Sequence, residues 1–222
     1  MVKRIVCLAN SFKTKGYCVA GRELFADGRV GGWIRPVSAR PTQEVTHAES
    51  WCGGGPPKLL DVIDIPLAKH VPHFHQTENF EFEPGRPWKK VGAMTAAQLA
   101  RMVEHPKVLW ANTQHTHFGK NDCLTETEAQ AFHRSLLLLA LDRVIVNVSP
   151  SRRTDAMSFR AAFEYNGIPY SLKLTDPAIT LPLSHIEGDH EFNKILACVS
   201  LAAPFDRDNN RCHKLLAGMI RA

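Results

Sequence analysis

The feature that most constrains the fold is a series of five short β-type runs at the C-terminal end of the chain. Their sequences are LALDRVIVNV, AMSFRAAFEY, IPYSLKLTDP, KILACVSLA and RCHKLLAGMIR. Asn166-Gly167, between the second and third runs, is the two-residue signal of a tight β-hairpin. Residues 178–193 form an irregular or short helical connector after the third run. Five strands with an insertion after the third are typical of an OB barrel, so the pattern predicts an OB-like barrel over 136–222.

The N-terminal half has a second series that can be counted in the same way. Its predicted strands are residues 1–8, 17–25, 29–37, 59–70 and 78–92, followed by predicted helices at 95–105 and 125–134. We place the domain boundary within 106–136 and assign 1–120 to an N-terminal OB-like barrel with a helical insert. The predicted fold class is therefore mainly β with short helices: two OB-like five-stranded barrels packed as one module.

Composition sets the broad class of protein. The 222 residues are 44% hydrophobic and 22% charged, which is ordinary for a soluble globular chain. The longest apolar stretch, at 135–148, contains Asp142 and Arg143 and is shorter than the ~20 residues of a membrane span. Six widely spaced cysteines without a CxxC pair indicate reduced thiols. We expect a cytoplasmic protein without a membrane partner, a bound metal or another cofactor.

Positive charge is concentrated at the N-terminus. Residues 1–40 contain eight Lys and Arg against two Asp and Glu, whereas the remaining 182 residues contain 19 against 20. A basic segment on a neutral body favours a directional patch for a polyanion. A solvated basic face without a ligand is the alternative.

The stretch GGWIRPVS at 31–38 suggests a ligand for this patch. On a strand, Trp33 and Arg35 would share one exposed face while Ile34 points into the core. An aromatic ring beside a guanidinium can stack a base and hold its phosphate. The alternative is a tryptophan at the rim of the barrel and an arginine in a surface ion pair.

Other polar positions join this candidate nucleic-acid interface. They lie in the loop after the first strand, on the basic N-terminal segment, in the stretch LWANTQHTHFGKND and around the loop before the last strand. For Asn112 and Asp122, duty in a turn or a helix cap is an equal alternative. The predicted contacts, besides Trp33 and Arg35, are Asn10, Ser11, Lys13, Lys15, Arg22, Arg40, Trp110, Asn112, Lys120, Asn121, Asp122, Arg207, Arg211 and Lys214.

Two histidine groups leave an enzymatic alternative open. HVPHFH contains His73 and His75, and HTH contains His115 and His117. Neither spacing matches a recognised zinc finger or hydrolase pattern. These four residues are the candidate catalytic side chains if the protein acts on RNA or a nucleotide, with or without zinc. Surface or hydrogen-bonded histidines are the other interpretation.

Several ordered motifs resemble a known family. KRIVCLANSFK, GYCVAGREL, GGWIRPVS, LLDVIDIPL, LWANTQHTHFGKND, LTDP and VSLAAPF are similar to segments of the bacterial dual OB-containing family. The resemblance implies two OB barrels and a nucleic-acid-binding role in a bacterial immunity or mobile-element setting. We therefore predict a module that binds RNA or single-stranded DNA, with two alternatives: the histidine-dependent enzyme, or an adaptor for a larger nucleic-acid effector protein.

Overall fold

The computed structural model describes residues 1–13, 16–151 and 156–222, apart from the side chain of Arg207. The chain divides into two compact units, Met1–Met102 and Val103–Ala222. Each unit contains a closed five-stranded β-barrel, and helices are few and short. The predicted mainly β class and the two five-stranded barrels are confirmed. In the described part of the chain, no helix is long and apolar enough to cross a membrane.

The barrel of the first unit follows the OB topology. Strand β1 pairs with β2 and β4, β2 pairs with β3, and β5 pairs with β4 and, in parallel, with β3. A sixth strand extends the sheet at β4. The bounds are β1 (Val2–Lys13), β2 (Gly16–Leu24), β3 (Val30–Val37), β4 (Asp61–His70), β5 (Asn79–Phe82) and β6 (Lys89–Ala93), followed by a 3₁₀ helix at Ala96–Met102. The single strand expected over 78–92 is thus two strands.

Alternation along the strands separates a core face from an outer face. Val19 on β2 and Ile34 on β3 point into the barrel, where they pack with aliphatic side chains of β1 and β4. The side chains of their strand neighbours therefore lie on the outside of the barrel. This alternation places Arg22 and Trp33 on the same outer face, directly opposite each other in the β2–β3 ladder.

Gly31 and Gly32 accommodate a β-bulge. The β2–β3 register advances by two residues from Arg22 to Leu24 but by three residues from Trp33 back to Val30, so β3 carries one extra residue. A Cβ atom at Gly31 would lie 2.9 Å from Cβ of Glu23, which explains the need for glycine there. Pro36 does not end the strand. Pro36 lies within β3 and pairs with β5, on the side of the strand away from β2.

The barrel of the second unit repeats the topology. Strand β8 pairs with β9 and β11, β9 with β10, β11 with β12, and β10 runs parallel to β12. The connector after the third barrel strand begins as a short helix and ends inside β11. The bounds are β7 (Cys123–Leu124), α1 (Glu126–Gln130), β8 (Leu136–Pro150), β9 (Met157–Tyr165), β10 (Ile168–Leu174), α2 (Pro177–Thr180), β11 (Gly188–Leu201) and β12 (Cys212–Arg221).

Residues 120–124 fill the seam where β10 and β12 diverge. The backbone of Lys120 exchanges hydrogen bonds with Ser171 of β10, with N···O distances of 3.0 and 3.3 Å. The amide of Lys214 in β12 donates to the Asp122 carbonyl at 2.8 Å. Strand β7 then continues the pairing with β12 at Cys212. The segment closes the barrel wall that the two strands leave open.

Residues 103–119, which precede this segment, also belong to the second unit. Our sequence assignment gave 103–120 to the N-terminal barrel, whereas the first compact unit ends at Met102. The backbone amide of Leu109 donates to the hydroxyl of Tyr170 on β10, at 3.2 Å. Leu109 and Trp110 pack into the core of the second barrel. These long-range contacts could not be inferred from local sequence patterns.

Candidate nucleic-acid interface

The outer face of the β2–β3 ladder in the first unit carries the two residue types of the expected interface. We define the outer β2–β3 face by the partly exposed side chains of Cys18 and Arg22 of β2 and Trp33 of β3. Strands 2 and 3 form the surface on which OB barrels commonly bind oligonucleotides. The position of these side chains follows from the inward direction of their strand neighbours, such as Val19 and Ile34.

Arg22 and Trp33 form a cation–π pair on this face. The guanidinium carbon of Arg22 lies 5.7 Å from the Trp33 ring centroid, and Arg22 Nε donates to the Gly31 carbonyl at 2.9 Å. Both side chains are partly exposed. The bulge at Gly31 thus supplies the acceptor that orients the guanidinium, while its other N–H groups retain donor capacity toward a ligand.

The pairing of basic residues on β1 to β3 is uneven. Within the described residues, Lys3, Arg4 and Arg35 have carboxylate partners, at 2.8, 2.6 and 3.0 Å. In the same part of the chain, no carboxylate oxygen lies within 4.0 Å of Lys13 or Arg22. Both of these residues are on the outer side of the barrel wall. Their charge is therefore not neutralised by a direct ion pair.

The net positive charge also belongs to the first unit. Residues 1–102 contain 14 Lys and Arg against 9 Asp and Glu, whereas residues 103–222 contain 13 of each. The excess of five positive charges therefore equals the net charge of the whole chain. A polyanion would be attracted to the first unit rather than to the second.

Arg35 does not share an exposed face with Trp33, and this expectation was wrong. Its side chain is only 2% exposed, because the loop between β4 and β5 covers this end of β3. Arg35 Nη1 lies 3.0 Å from Glu78 Oε1 and donates to Asn79 Oδ1 at 3.2 Å. The Arg35 backbone amide also donates to the Glu78 carbonyl at 2.8 Å. The guanidinium therefore anchors the loop beneath the surface.

The other N-terminal candidates divide between surface and interior. Asn10 donates from Nδ2 to the Pro57 carbonyl at 2.7 Å, and Ser11 is buried. Arg40 binds Glu49 through two nitrogens, at 2.8 and 2.6 Å. Lys13 is partly exposed at the end of β1, and Lys15 lies outside the described residues. Lys13 is the member of this group that is best placed to meet a ligand.

Trp110 and Lys214 lie in the interior of the second unit, where the partly exposed Asn112 binds Lys214. Trp110 is 6% exposed and donates from Nε1 to the Arg134 carbonyl at 3.0 Å. Lys214 is 0% exposed, and its ammonium donates to the Ala111 carbonyl at 2.6 Å and to Asn112 Oδ1 at 2.9 Å. Burial lowers the pKa of Lys214 to about 8. These side chains link 110–112 to β12 and are not part of the interface that we propose.

Asp122 organises the seam of the second barrel. Its carboxylate is 3% exposed and accepts hydrogen bonds from the Thr116 amide at 2.7 Å, the Thr116 hydroxyl at 2.6 Å and Arg160 Nη2 at 2.6 Å. Burial alone would raise the pKa of Asp122, but the bonds from Thr116 and Arg160 lower it. Arg160, on the outer side of β9, was missed in the sequence because the MSFRAAF pattern gives no sign of its partner.

The outer side of the second barrel is thus partly covered by its own chain. A Cβ atom at Gly119 would lie 1.7 Å from an Asp122 oxygen and 2.4 Å from Arg160 Nη2, so the backbone lies directly over this pair. Asn121 Nδ2 donates to the Pro169 carbonyl at 3.0 Å, and the side chain of Lys120 is exposed. The two barrels differ in this respect. Arg22 of the first barrel is partly exposed, whereas Arg160 of the second barrel is bound to the Asp122 carboxylate.

The loop before β12 carries mixed charge. Arg211 Nη1 lies 4.0 Å from Asp208 Oδ1, and His213 Nε2 lies 2.9 Å from Asp208 Oδ2. Asn209 and Asn210 adopt left-handed backbone conformations. Nothing is described of the Arg207 side chain. Among the described side chains, the loop therefore offers acidic and basic groups side by side.

The four candidate catalytic histidines are dispersed. His73 is exposed and His75 is buried, while His115 and His117 are both exposed in the second unit. Within residues 1–13, 16–151 and 156–222, no group of three or more His, Cys, Asp or Glu side chains is arranged to hold a metal ion. Burial, and then the charge of Lys13, lower the pKa of His73.

Fold and surface together define a protein of two OB barrels, with a partly exposed aromatic–cation pair on one of them. A family model described as the dual OB-containing domain matches residues 3–219. The chain belongs to this family over nearly its whole length, which confirms the resemblance seen in the sequence. No curated protein matches the chain.

Proposed function

We propose that the protein binds single-stranded nucleic acid, RNA or DNA, on the outer β2–β3 face of its N-terminal barrel. The observation that carries the proposal is the Arg22–Trp33 pair, with a centroid distance of 5.7 Å and no carboxylate partner for Arg22 among the described residues. An exposed aromatic ring can stack on any of the bases. A guanidinium beside it can bind a phosphate or stack on a base as well.

The distribution of charge supports the same unit. The first barrel has the whole net positive charge of the chain, whereas the corresponding strand of the second barrel has its arginine bound to Asp122. We infer that the N-terminal barrel contacts the strand and that the seam of the C-terminal barrel has a structural role. Membership of a dual OB family is compatible with this division of labour.

The test is direct binding of labelled single-stranded RNA and DNA to the full chain, by fluorescence anisotropy across a range of salt concentrations. We expect affinity to fall as salt rises, with a log–log slope of about −0.7 for each phosphate contacted. Arg22→Lys should weaken binding, because an ammonium keeps the charge but loses the planar, stacking fork. Arg86→Lys, in an exposed pair with Glu83, is the matched control.

Two results would count against the proposal. Absence of binding to both nucleic acids at low salt would favour the alternative of a protein-interaction adaptor. Binding that is insensitive to salt and equal in wild type and Arg22→Lys would show that the outer β2–β3 face is not the contact surface.

A further inference from the structure

Three aromatic rings form a row beside the β1–β2 hairpin. Phe12 of β1 pairs directly with Tyr17 of β2 in the antiparallel register. The two ring centroids lie 5.6 Å apart, with the ring planes inclined by 34°. The imidazole of His47 stacks on the other side of Tyr17, at 3.8 Å between centroids and 16° between planes. We call Phe12, Tyr17 and His47 the aromatic row.

The aromatic row lies on the side of β2 opposite to the outer β2–β3 face. Tyr17 shares its side of the strand with Val19, which points into the barrel, whereas Cys18 and Arg22 point outward. Phe12 and Tyr17 are at least partly exposed, because this end of the hairpin extends past the core. The aromatic row is therefore a surface separate from the one that carries Trp33.

A hydrogen-bonded turn holds His47 against Tyr17. The backbones of Tyr17 and Val45 exchange hydrogen bonds at 2.8 and 2.9 Å, which fixes the segment that precedes His47. The Thr46 amide donates to Glu49 Oε2 at 2.9 Å, and the Glu49 amide donates to Thr46 Oγ1 at 3.2 Å. A ligand would thus meet rings that are already in place, so it would not have to order them on binding.

The two end rings of the aromatic row are open to solvent. Phe12 is 41% exposed, and His47 is exposed although one face of its imidazole covers Tyr17. The exposed part of His47 is therefore the opposite face and the ring edge. A planar group that packs on either end would extend the stack by one layer, as nucleobases do on aromatic side chains.

The charges beside the aromatic row favour a polyanion as the source of that planar group. Lys13 directly follows Phe12 and, among the described residues, has no carboxylate oxygen within 4.0 Å. Two carboxylates of the neighbouring segment are already paired, since Arg40 lies 2.6 Å from Glu49 and 3.0 Å from Glu44. A phosphate next to a stacked base would therefore be attracted to this end of the hairpin.

We propose that the aromatic row is a second base-stacking surface of the N-terminal barrel, which binds further bases of the strand held at Trp33. The proposal rests on the proposed function and deepens it, since it names a second contact for the same ligand. Arg22, the cross-strand partner of Trp33, lies five residues after Tyr17 on β2, a span of roughly 16 Å in an extended strand. One OB fold binds about 4 to 16 nucleotides, so one strand is long enough to contact both surfaces.

The experiment measures the affinity of the full chain for a labelled single-stranded oligonucleotide of about 16 nucleotides, the upper site size of one OB fold, by fluorescence anisotropy. We expect His47→Ala to weaken binding by about 5-fold to 150-fold, the loss typical of one stacked base. His47→Phe should restore binding, because it keeps a ring that can stack. Phe12→Ala should weaken binding as well, whereas Phe74→Ala, which removes an exposed phenylalanine of the β4–β5 loop, is the matched control and should not.

Two further measurements separate stacking from an effect on structure. A thermal melt of each variant checks folding. In wild type, NMR titration with the oligonucleotide should move the His47 Cε1–H proton upfield, because a stacked base places this proton in its ring current. No upfield movement at saturation would overturn stacking on His47.

A double variant tests whether one strand contacts both surfaces. The fold losses of Trp33→Ala and His47→Ala should multiply in the double variant, because separate contacts with one ligand add in free energy. A double variant that binds no more weakly than Trp33→Ala alone would overturn the proposal.

The outcome for the aromatic row is separable from the outcome for the proposed interface. If folded His47→Ala and Phe12→Ala variants bind as wild type does while Trp33→Ala is weakened, the outer β2–β3 face is retained and the aromatic row is rejected. If the variants of the aromatic row are weakened while Trp33→Ala is not, the aromatic row is retained and the outer β2–β3 face is rejected.

Discussion

The buried ammonium of Lys214 donates a hydrogen bond to Asn112 Oδ1 at 2.9 Å, across 102 residues of the chain. Asn112 in turn donates from Nδ2 to the Tyr170 hydroxyl at 2.9 Å, and the Lys214 ammonium lies 5.4 Å from the Tyr170 ring centroid. This triad joins β10, β12 and the segment before β7. Asn112 and Lys214, which are distant in sequence, therefore share one structural role in the second unit.

Lys214→Met should destabilise the second unit. Methionine fills a similar volume but leaves the Ala111 carbonyl and Asn112 Oδ1 without the donor that now satisfies them. We expect a loss of about 1 to 3 kcal/mol in the free energy of unfolding, measured with urea. Lys173→Met, at an exposed position on β10, is the control and should have little effect. Equal stability of the two variants would contradict the triad.

The lowered pKa of Lys214 leads us to expect that the free energy of unfolding depends on pH. Burial lowers the pKa of Lys214 from 10.5 to about 8, although Cys123, Asp122 and Glu128 oppose the shift. Between these values the unfolded chain holds a proton that the folded chain has released, so Lys214 makes the free energy of unfolding rise with pH. The difference in stability between wild type and Lys214→Met should grow over this window, by up to about 1.4 kcal/mol per pH unit. A flat or falling difference would contradict the shift.

The lowered pKa of Glu49 leads us to expect that the stability of the first unit falls in acid. Hydrogen bonds from Arg40, and then from Thr46, lower the pKa of Glu49 from 4.5 to about 2 against the effect of burial. Its contribution to stability is complete above pH 4.5 and is lost as pH falls toward 2. Glu49→Gln should lower the melting temperature by a few degrees at pH 7, and this difference should narrow across that acidic range. Glu187→Gln, at an exposed position, should show neither effect.

Gly119 should tolerate no side chain. Its Cβ would lie 1.7 Å from an Asp122 oxygen and 2.4 Å from Arg160, both held in a hydrogen-bonded cluster. Gly119→Ala should therefore cost more than about 2 kcal/mol in urea unfolding, because either the segment or the ion pair must move. At Gly92 no heavy atom lies within 4 Å of an added Cβ, so Gly92→Ala should be nearly neutral. Similar losses in both variants would argue against close packing at Gly119.

The five barrel strands of each unit could be predicted because alternation, turn residues and helix caps are local signals. The Asn166-Gly167 turn is an example, with both residues at positive φ between β9 and β10. Burial of a charged residue is not a local property. Arg35 looks like a surface cation in GGWIRPVS, but its partner Asn79 is 44 residues away, in the strand that runs beside β3.

The candidate site shows the same distinction. Trp33 was predicted from its strand position, and alternation does place it on the outer face. Asp122 and Lys214 belong to stretches rich in polar residues, and such composition is common to binding loops and to buried networks. The backbone pairing of this stretch with β10 and β12 shows that it closes a barrel. Recognising the outer β2–β3 face as the candidate interface therefore requires the tertiary structure as well as the residue types.

The most direct test of the central claim compares Trp33→Ala with Trp51→Ala in single-strand binding. Trp51 is 53% exposed in the segment between β3 and β4, so it is a matched aromatic residue outside the outer β2–β3 face. The account predicts that Trp33→Ala weakens oligonucleotide affinity by about 1 to 3 kcal/mol through lost stacking. It also predicts wild-type affinity for Trp51→Ala. Unchanged binding by a folded Trp33→Ala variant, or an equal loss in both variants, would contradict the assignment of the interface.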